Sequence, residues 1–259
     1  MAKILTKISK AVDYSFIIIP FNRPRLLRRC LSSIAKIRNV SYEVILVNNG
    51  NPIEEKIVKT RSNILVINNS KNVGIAKARN IGIKNSSGKY LVFLDDDAYL
   101  KNPQKLIFMK KYFETNLKAA IISPKIIYPS GKIQESIRRF PTLVALVLRG
   151  FGNSVTNRDY QKYIYKDKNR NEIFEVDWAI GACLIVRRYI AKKIGGFTDS
   201  YSYGYDDADF CRKIKRLGFK TIYNPMIEVV HNYQRLSTVG LFTVYRLKHV
   251  MGIIRFLLT

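Results

Sequence analysis

Acidic side chains are scarce in this chain. It carries 19 Asp and Glu against 45 Lys and Arg over 259 residues, a formal net charge of +26. An imbalance of that size predicts attraction to anions: nucleic acid, phosphorylated substrates or an acidic membrane surface. Cysteine is almost as rare. Cys30, Cys183 and Cys211 are odd in number, far apart and set in apolar runs, which excludes a disulfide framework or a zinc cluster and fits a reducing compartment. No stretch reaches the roughly 18 uncharged apolar residues of a spanning helix. The opening "MAKILTKISKAVDYS" is basic but lacks the unbroken apolar core of a signal peptide, so a cytoplasmic protein is expected. Against these shortages, a content of 47% hydrophobic and 12% aromatic residues is that of a folded domain.

The scarce acids are not scattered. Three stand side by side in "VFLDDDAYL", Asp95, Asp96 and Asp97, at the end of an apolar run. Adjacent carboxylates repel unless a positive charge sits between them. One reading is a solvated turn whose acids cap a following helix near Pro103. The other is a hard-cation site, in which carboxylate oxygens hold Mg²⁺ or Mn²⁺ and leave positions open for phosphate oxygens. The second accounts better for three acids at a strand end.

The first hundred residues alternate between short apolar runs and helical patterns. Phe16–Ile19, Glu43–Val47, Ile64–Ile67 and Tyr90–Leu94 read as buried strands. A helix is expected from Pro24 to Arg38, with Asn22 as its cap and Leu27, Cys30, Leu31 and Ile34 inward, and another from Ile75 to Lys84. Strands separated by helices predict an α/β fold with a Rossmann-like, mixed but mainly parallel sheet flanked by helices. Ligands of such sheets bind beyond the carboxyl ends of the strands. There the sequence has "PFNRP", "NNGN", "NNSKNVG" and "DDD". Each alone is ordinary turn chemistry; together they predict a nucleotide crevice.

The second half is less regular. Ile121–Pro124 and Lys125–Tyr128 predict two short strands around a proline, and "VDWAIGACLIVRR" a strand pattern from Val176. The basic, aromatic stretch from Arg138 to Asn171 predicts a mobile loop. "YGYDDADFCRKIKRLGFK" predicts a helix with Asp206, Asp207 and Asp209 at its start, Phe210, Ile214 and Leu217 facing the core, and Gly218 at its C-terminal cap. Acids in a first turn are favoured by the helix dipole alone. The glycines and aromatics of "GGFTDSYSYGY" just before them suit a concave site, where a carboxylate takes a proton from a hydroxyl nucleophile. His231, after "MIEVVH", is open to a structural role or a metal-ligand role.

These segments, in this order, resemble family 2 glycosyltransferases of GT-A fold, most closely the rhamnosyltransferase-like, non-processive members. The segments are "IIIPFNRP", "LVNNGN", "NVGIAKARNIG" (Asn72–Gly82), "LDDDA", "WAIGACLIVRR" and "GGFTDSYSYGYDDADFCRKI". The likeness covers about Ser15 to Ser237. It implies a catalytic domain over residues 15–237, with a donor half to about residue 120 and an acceptor half beyond, a basic segment at 1–14 and an amphipathic helix at 238–259. Pro20 and Phe21 would line the base pocket, and Asn22, Arg23, Asn48, Asn49, Asn72, Gly74 and Asp96 would border the donor. Arg79 and Asn80 would sit under the donor. Asp95 would face the ribose and lie at the metal, Asp97 would hold the metal, and His231 would complete the metal or diphosphate contacts. Asp207 would be the general base, with Asp206 in place of a more usual Glu, and Trp178, Gly181 and Ala182 would border the acceptor.

The implied reaction is inverting, metal-dependent transfer from a nucleotide-diphosphate sugar, UDP- or dTDP-linked, to a hydroxyl of a glycan or lipid-linked acceptor. One position departs from the pattern. Asn48 stands where the base-binding loop normally carries Asp, so a uracil or thymine N3–H would meet a neutral amide oxygen, a bond about half as strong as a charge-assisted one. The processive members' Gln-x-x-Arg-Trp motif is missing, since "YQRLS" lacks its spacing and Trp178 is the only tryptophan. Addition of one or a few sugars is therefore expected.

Two rival classes remain to be weighed. Nucleic-acid binding fits the charge, but no zinc-finger, RNP-like or basic coiled-coil pattern is present. A sugar nucleotidyltransferase also pairs carboxylates with a metal, but "PFNRPRLL" has none of the glycines of its opening loop. The final stretch, "TVGLFTVYRLKHVMGIIRFLL", mixes Leu, Phe and Ile with Arg246, Lys248 and Arg255. It reads either as a helix at the inner, anionic face of the cell membrane or as one packed on the domain with a solvated basic face.

Overall fold

The computed structural model describes residues 12–58, 63–140, 158–201, 204–233 and 244–258. Most of the basic segment at 1–14, and 141–157 of the expected loop, lie outside the described residues. Four apolar runs form the strands β1 (Tyr14–Ile18), β2 (Tyr42–Asn48), β3 (Ile64–Asn68) and β4 (Tyr90–Leu94). They pair in parallel in the order β3-β2-β1-β4. Side chains alternate across the sheet. Phe16, Ile18, Val44, Leu46, Val92 and Leu94 enter one core with Leu27, Cys30, Leu31 and Ile34 of helix α1 (Pro24–Ile34). Ile17, Leu91 and Phe93 enter the opposite core. A strand buried on both faces has no polar face to show, which is why these strands read as continuous apolar runs. Between them lie α1, the short α2 (Glu55–Val58) and α3 (Ile75–Lys84).

The chain then places β5 (Ala98–Leu100), α4 (Leu106–Thr115), β6 (Ala119–Ile127), β7 (Ile137–Arg138), α5 (Arg158–Tyr163), β8 (Phe174–Val176), β9 (Trp178–Ala179), β10 (Cys183–Arg187), α6 (Arg188–Lys193), α7 (Asp206–Arg216), β11 (Lys220–His231) and α8 (Val244–Leu258). The sheet continues past β4 as β10-β6-β11-β5, with β8 also on β11, and β7 pairs with β9 in a separate ribbon. β10 runs antiparallel to both β4 and β6, while β11 is parallel to β6. The sheet is therefore mixed: wholly parallel through β4, with β10 and β5 antiparallel to their neighbours beyond it and β11 parallel to β6. The sequence order changes direction at β1, whose neighbours are β2 and β4, and this opens a crevice beyond the carboxyl ends of the strands.

Several local expectations are corrected. Pro124 does not divide two strands: β6 runs through it, because the partner β11 shifts register between Asn224 and Glu228 and removes the need for a regular ladder there. α1 stops at Ile34 rather than Arg38, and Asn22 does not cap it. Asn22 takes a left-handed conformation, φ 58°, and its Oδ1 accepts from Asn51 N–H at 2.7 Å. Leu217 is 42% exposed because α7 ends at Arg216; the chain turns at Gly218, φ 79°, and Phe219 packs inward instead. Phe210 and Ile214 are buried as expected. Part of the Arg138–Asn171 stretch is ordered structure, in β7 and α5.

Candidate active site

The acid triplet follows β4 in a tight turn, with Asp95 N–H bonded to Ala182 O and Ala98 N–H to Asp95 O, both at 3.0 Å. Its three side chains go three ways. Asp96, 1% exposed, accepts from the Arg23 guanidinium and, at 3.0 Å, from Phe21 N–H. It thereby fixes the loop after β1. Asp97 accepts from Arg23 Nη1 at 2.7 Å on Oδ2, while its Oδ1 lies 3.2 Å from His231 Nε2. Asp95, 34% exposed, faces His231 Nε2 at 3.8 Å and Arg79 Nη2 at 3.7 Å. The cation that three adjacent acids call for is thus supplied in part by the chain itself, through Arg23.

The remaining charge converges on one point. Ligand atoms of Asp95, Asp97 and His231 lie within 4.8 Å of one another. His231 ends β11, the twelve-residue strand that carries it to the crevice, and its Nδ1 is 3.0 Å from Gln134 Oε1. Nδ1–H donates to that oxygen, which turns Nε2 toward the two carboxylates. A nitrogen lone pair 3.2 Å from a carboxylate is repulsive, so Nε2 needs a proton or a metal there. Two oxygens and one imidazole nitrogen, with a positioned outer partner, fit Mg²⁺ or Mn²⁺. Burial raises the Asp95 carboxyl, with Asp97 adding to the rise and Arg79 opposing it. Burial also acts on Asp97, but the hydrogen bond and charge of His231, with Arg23, outweigh it and hold Asp97 low. Asp97 is held further by Asn232, whose backbone and side-chain N–H groups donate to its carbonyl at 3.0 and 2.9 Å.

The second acid pair opens α7, behind Tyr205 in a left-handed conformation. Asp206 is buried and accepts from Arg79 Nη1 at 2.6 Å. Burial pushes Asp206 up to about 6, against the pull of Arg79. Arg79 Nη2 donates to Gly181 O at 3.0 Å, and a Cβ at position 181 would collide with the guanidinium and displace it. Asp207 accepts from Gly181 N–H at 2.9 Å and from Ala208 N–H at 2.8 Å, one bond on each oxygen. Burial raises its carboxyl, while Arg79, those two N–H groups and Arg138 oppose the rise.

Other predicted site residues turn inward. Asn48 is 2% exposed; it donates to Asn51 O and Asn68 Oδ1, both at 3.0 Å, and accepts from Gly50 N–H at 3.1 Å. Its amide shapes the loop that was expected to read a base. Asn49 ties Asn69 and Gly74 O, Pro20 O accepts from Asn49 N–H, and Asn72 Oδ1 accepts from the N–H of Gly74, φ 85°. Asn80 grips the Phe197 backbone through both its amide atoms, and its Nδ2 also donates to Asp199 at 2.7 Å. Trp178 is buried, with Nε1–H on Arg139 O at 2.8 Å. Ala182 is buried beside Asp95. Gln134, Asn232 and Arg138 belong to the same neighbourhood, and no short motif marked them.

Residues 15–195 match the family model described as glycosyl transferase family 2. The chain belongs to glycosyl transferase family 2. Among family relatives, it is 29% identical over 120 residues to an N-acetylglucosaminyl-diphospho-decaprenol L-rhamnosyltransferase of Mycobacterium tuberculosis, a match covering 44% of this chain and 38% of that protein. The matched part spans well under half of the first curated relatives. In fold it resembles GalNAc-T7 with UDP, GalNAc and Mn2+, at a TM-score of 0.66 and 18% identity over 91% of this chain and 46% of that one. It also resembles the mannosyltransferase PcManGT from Pyrobaculum calidifontis in complex with GDP-Man and Mn2+, at 0.63 and 15% over 100% and 68%. The fold of this family 2 chain is accordingly GT-A, with the acid triplet at the β4 end of the crevice and the Asp206–Asp207 pair across Gly181 from it.

Proposed function

We propose that the protein is an inverting, metal-dependent glycosyltransferase that moves a sugar from a nucleotide-diphosphate sugar, UDP- or dTDP-linked, to a hydroxyl of a glycan or lipid-linked acceptor in cell-surface polysaccharide or glycoconjugate synthesis. The observation that carries this reading is the meeting of Asp95, Asp97 and His231 on one side of Gly181 with Asp207 on the other. Asp95, Asp97 and His231 would hold Mg²⁺ or Mn²⁺, which when bound supplies positive charge for the departing diphosphate. Asp207 keeps one acceptor position on each oxygen beyond its backbone bonds, and the lift from burial makes it a better base. It takes the proton of the acceptor hydroxyl as that oxygen bonds to the anomeric carbon and the carbon–phosphate-oxygen bond breaks. Arg79 and Arg23 hold the two acid clusters in place.

The relative's printed acceptor is a lipid diphosphate, and α8 suits a membrane surface. Leu247, Val250, Met251, Ile254, Leu257 and Leu258 are exposed along it at helical spacing. Its fifteen residues span about 22 Å, too short for a hydrocarbon core of about 30 Å, and no helix among the described residues is long and apolar enough to cross a membrane. The sequence from residue 234 onward contains no acid. Two copies at +26 repel, so an anionic bilayer suits this stripe better than a second copy, with about 1 kcal/mol from each basic residue near the headgroups. Co-sedimentation with anionic vesicles at low salt, unchanged by deleting Val239–Thr259, would remove the helix from that role.

The central test is calorimetric titration with UDP, dTDP, GDP and CDP, each with Mn²⁺ and with chelator. Metal-dependent binding of one or two of them is expected. A folded protein that binds none would overturn the proposal.

A further inference from the structure

Among the arginines of this crevice, Arg138 lacks an anion. Arg23 and Arg79 hold carboxylates, as do their neighbours Arg139 and Arg212. Arg138 makes one long hydrogen bond, from Nη2 to Glu135 O at 3.4 Å. All 19 acids of the chain fall within the described residues, and none of them forms an ion pair with it. A guanidinium has five N–H donors in a rigid fork, so most of this one's capacity is unused. The side chain is partly exposed, so its unused donors are open to a ligand entering the crevice.

Its position is as informative as its bonding. Residues 134–138 run along the crevice from the metal side to the acceptor side. Gln134 holds His231, Ser136 O accepts from Ile180 N–H at 2.9 Å, and Arg138 stands opposite Trp178 with its Cζ 5.0 Å from the ring centroid. Trp178 packs on Tyr205, the residue that opens α7 ahead of Asp206 and Asp207. The Asp207 carboxylate is among the charges that act on Arg138. Two residues further on, Phe140 packs on Phe256 of α8, ring centroids 5.9 Å apart. Arg138 therefore lies between the base and the helix proposed for the membrane surface.

We infer that Arg138 binds a phosphate of the acceptor, the diphosphate that links a sugar to its lipid, and so delivers the acceptor hydroxyl to Asp207. The assignment rests on the glycosyltransferase reading above. A guanidinium pressed against an aromatic face presents its fork edge-on, the geometry that grips phosphate oxygens in pairs. The donor's diphosphate is the other source of the same chemistry, but the proposed metal centre would serve it.

Full-length protein, in the presence and absence of its preferred nucleotide at matched free Mn²⁺, is titrated with farnesyl diphosphate and with uncharged farnesol. The wild type is expected to prefer the diphosphate. Arg138→Gln is expected to weaken it by about 10–100-fold, leaving farnesol binding, nucleotide affinity and melting temperature unchanged, with Arg138→Lys in between. Equal diphosphate affinity in wild type and Arg138→Gln overturns the assignment. A loss of nucleotide affinity in Arg138→Gln also overturns it, because the guanidinium then serves the donor. If no nucleotide binds the wild type but farnesyl diphosphate still depends on Arg138, the phosphate site stands and the glycosyltransferase reading falls.

Discussion

The two acid clusters of the crevice are built on the same division of labour, on different backbone. At the strand end, Asp96 is buried against Arg23, while Asp95 and the also buried Asp97 turn carboxylate oxygens toward His231. At the helix start, Asp206 is buried against Arg79 while Asp207 stays accessible. Consecutive side chains point apart both in a strand-end turn and in a helix's first turn, so adjacent acids separate into an anchor and a tool. The arginine of each anchor also approaches a tool acid of the triplet: Arg23 bonds Asp97, and Arg79 lies 3.7 Å from Asp95. The clusters therefore stabilise charge through a shared framework, and substitutions at anchor and tool should fail differently.

The largest expected effect is on a tool. Asp207→Asn keeps the shape and one backbone bond but cannot take a proton, so turnover should drop by about 10²–10⁴ with nucleotide binding retained. Single-turnover transfer alongside nucleotide calorimetry checks this. If both fall together, Asp207 holds the donor rather than acting as base. An anchor should fail as stability instead. Arg79→Met leaves the buried Asp206 carboxylate uncompensated, a loss of about 3–5 kcal/mol in unfolding free energy. Denaturant titration reads it, and a loss below about 1 kcal/mol would mean that the Arg79–Asp206 pair is not an anchor.

Between these lies a residue that touches neither role directly. Gln134 fixes the ring of His231 at 3.0 Å. Gln134→Leu should weaken Mn²⁺ affinity by about 10–100-fold, the usual cost of losing an outer partner of a metal-binding histidine. Metal titration of the folded variant decides it, and unchanged affinity would return His231 to a structural role.

What could be read in the sequence follows from how local each feature is. The strands β1 to β4 were legible because burial on both faces writes itself as an apolar run, and their polar ends marked the crevice. β10 was legible as a strand but not as antiparallel, since pairing direction depends on where the chain returns. The expected metal set of Asp95, Asp97 and His231 spans 136 positions, and the structure brings its members together because β11 ends beside β5. Arg23 as the partner of Asp96 and Asp97 was missed, because an ion pair across 73 positions leaves no periodic trace. Asn48 shows the opposite limit. The family resemblance placed Asn48 at a base, and what it could not show is that the amide also closes its own loop through Asn51, Asn68 and Gly50.

The smallest effect is a shift in a pH profile, and it separates anchor from tool without a change of shape. As the proposed base, Asp207 would work only when ionised, so the rate should fall on the acid side as it takes up a proton. Burial lifts its carboxyl above the ordinary value of 3.8, and the acid limb should therefore begin at a higher pH than a solvent-exposed carboxylate would give. Arg138 is among the charges that oppose this lift. Removing that charge in Arg138→Gln should move the limb further upward, by at most about one unit for a partly screened pair. A single-turnover rate profile with saturating donor measures the limb in both proteins. A limb that moves downward in Arg138→Gln, or one that survives in Asp207→Asn, would show that the titrating group is not Asp207.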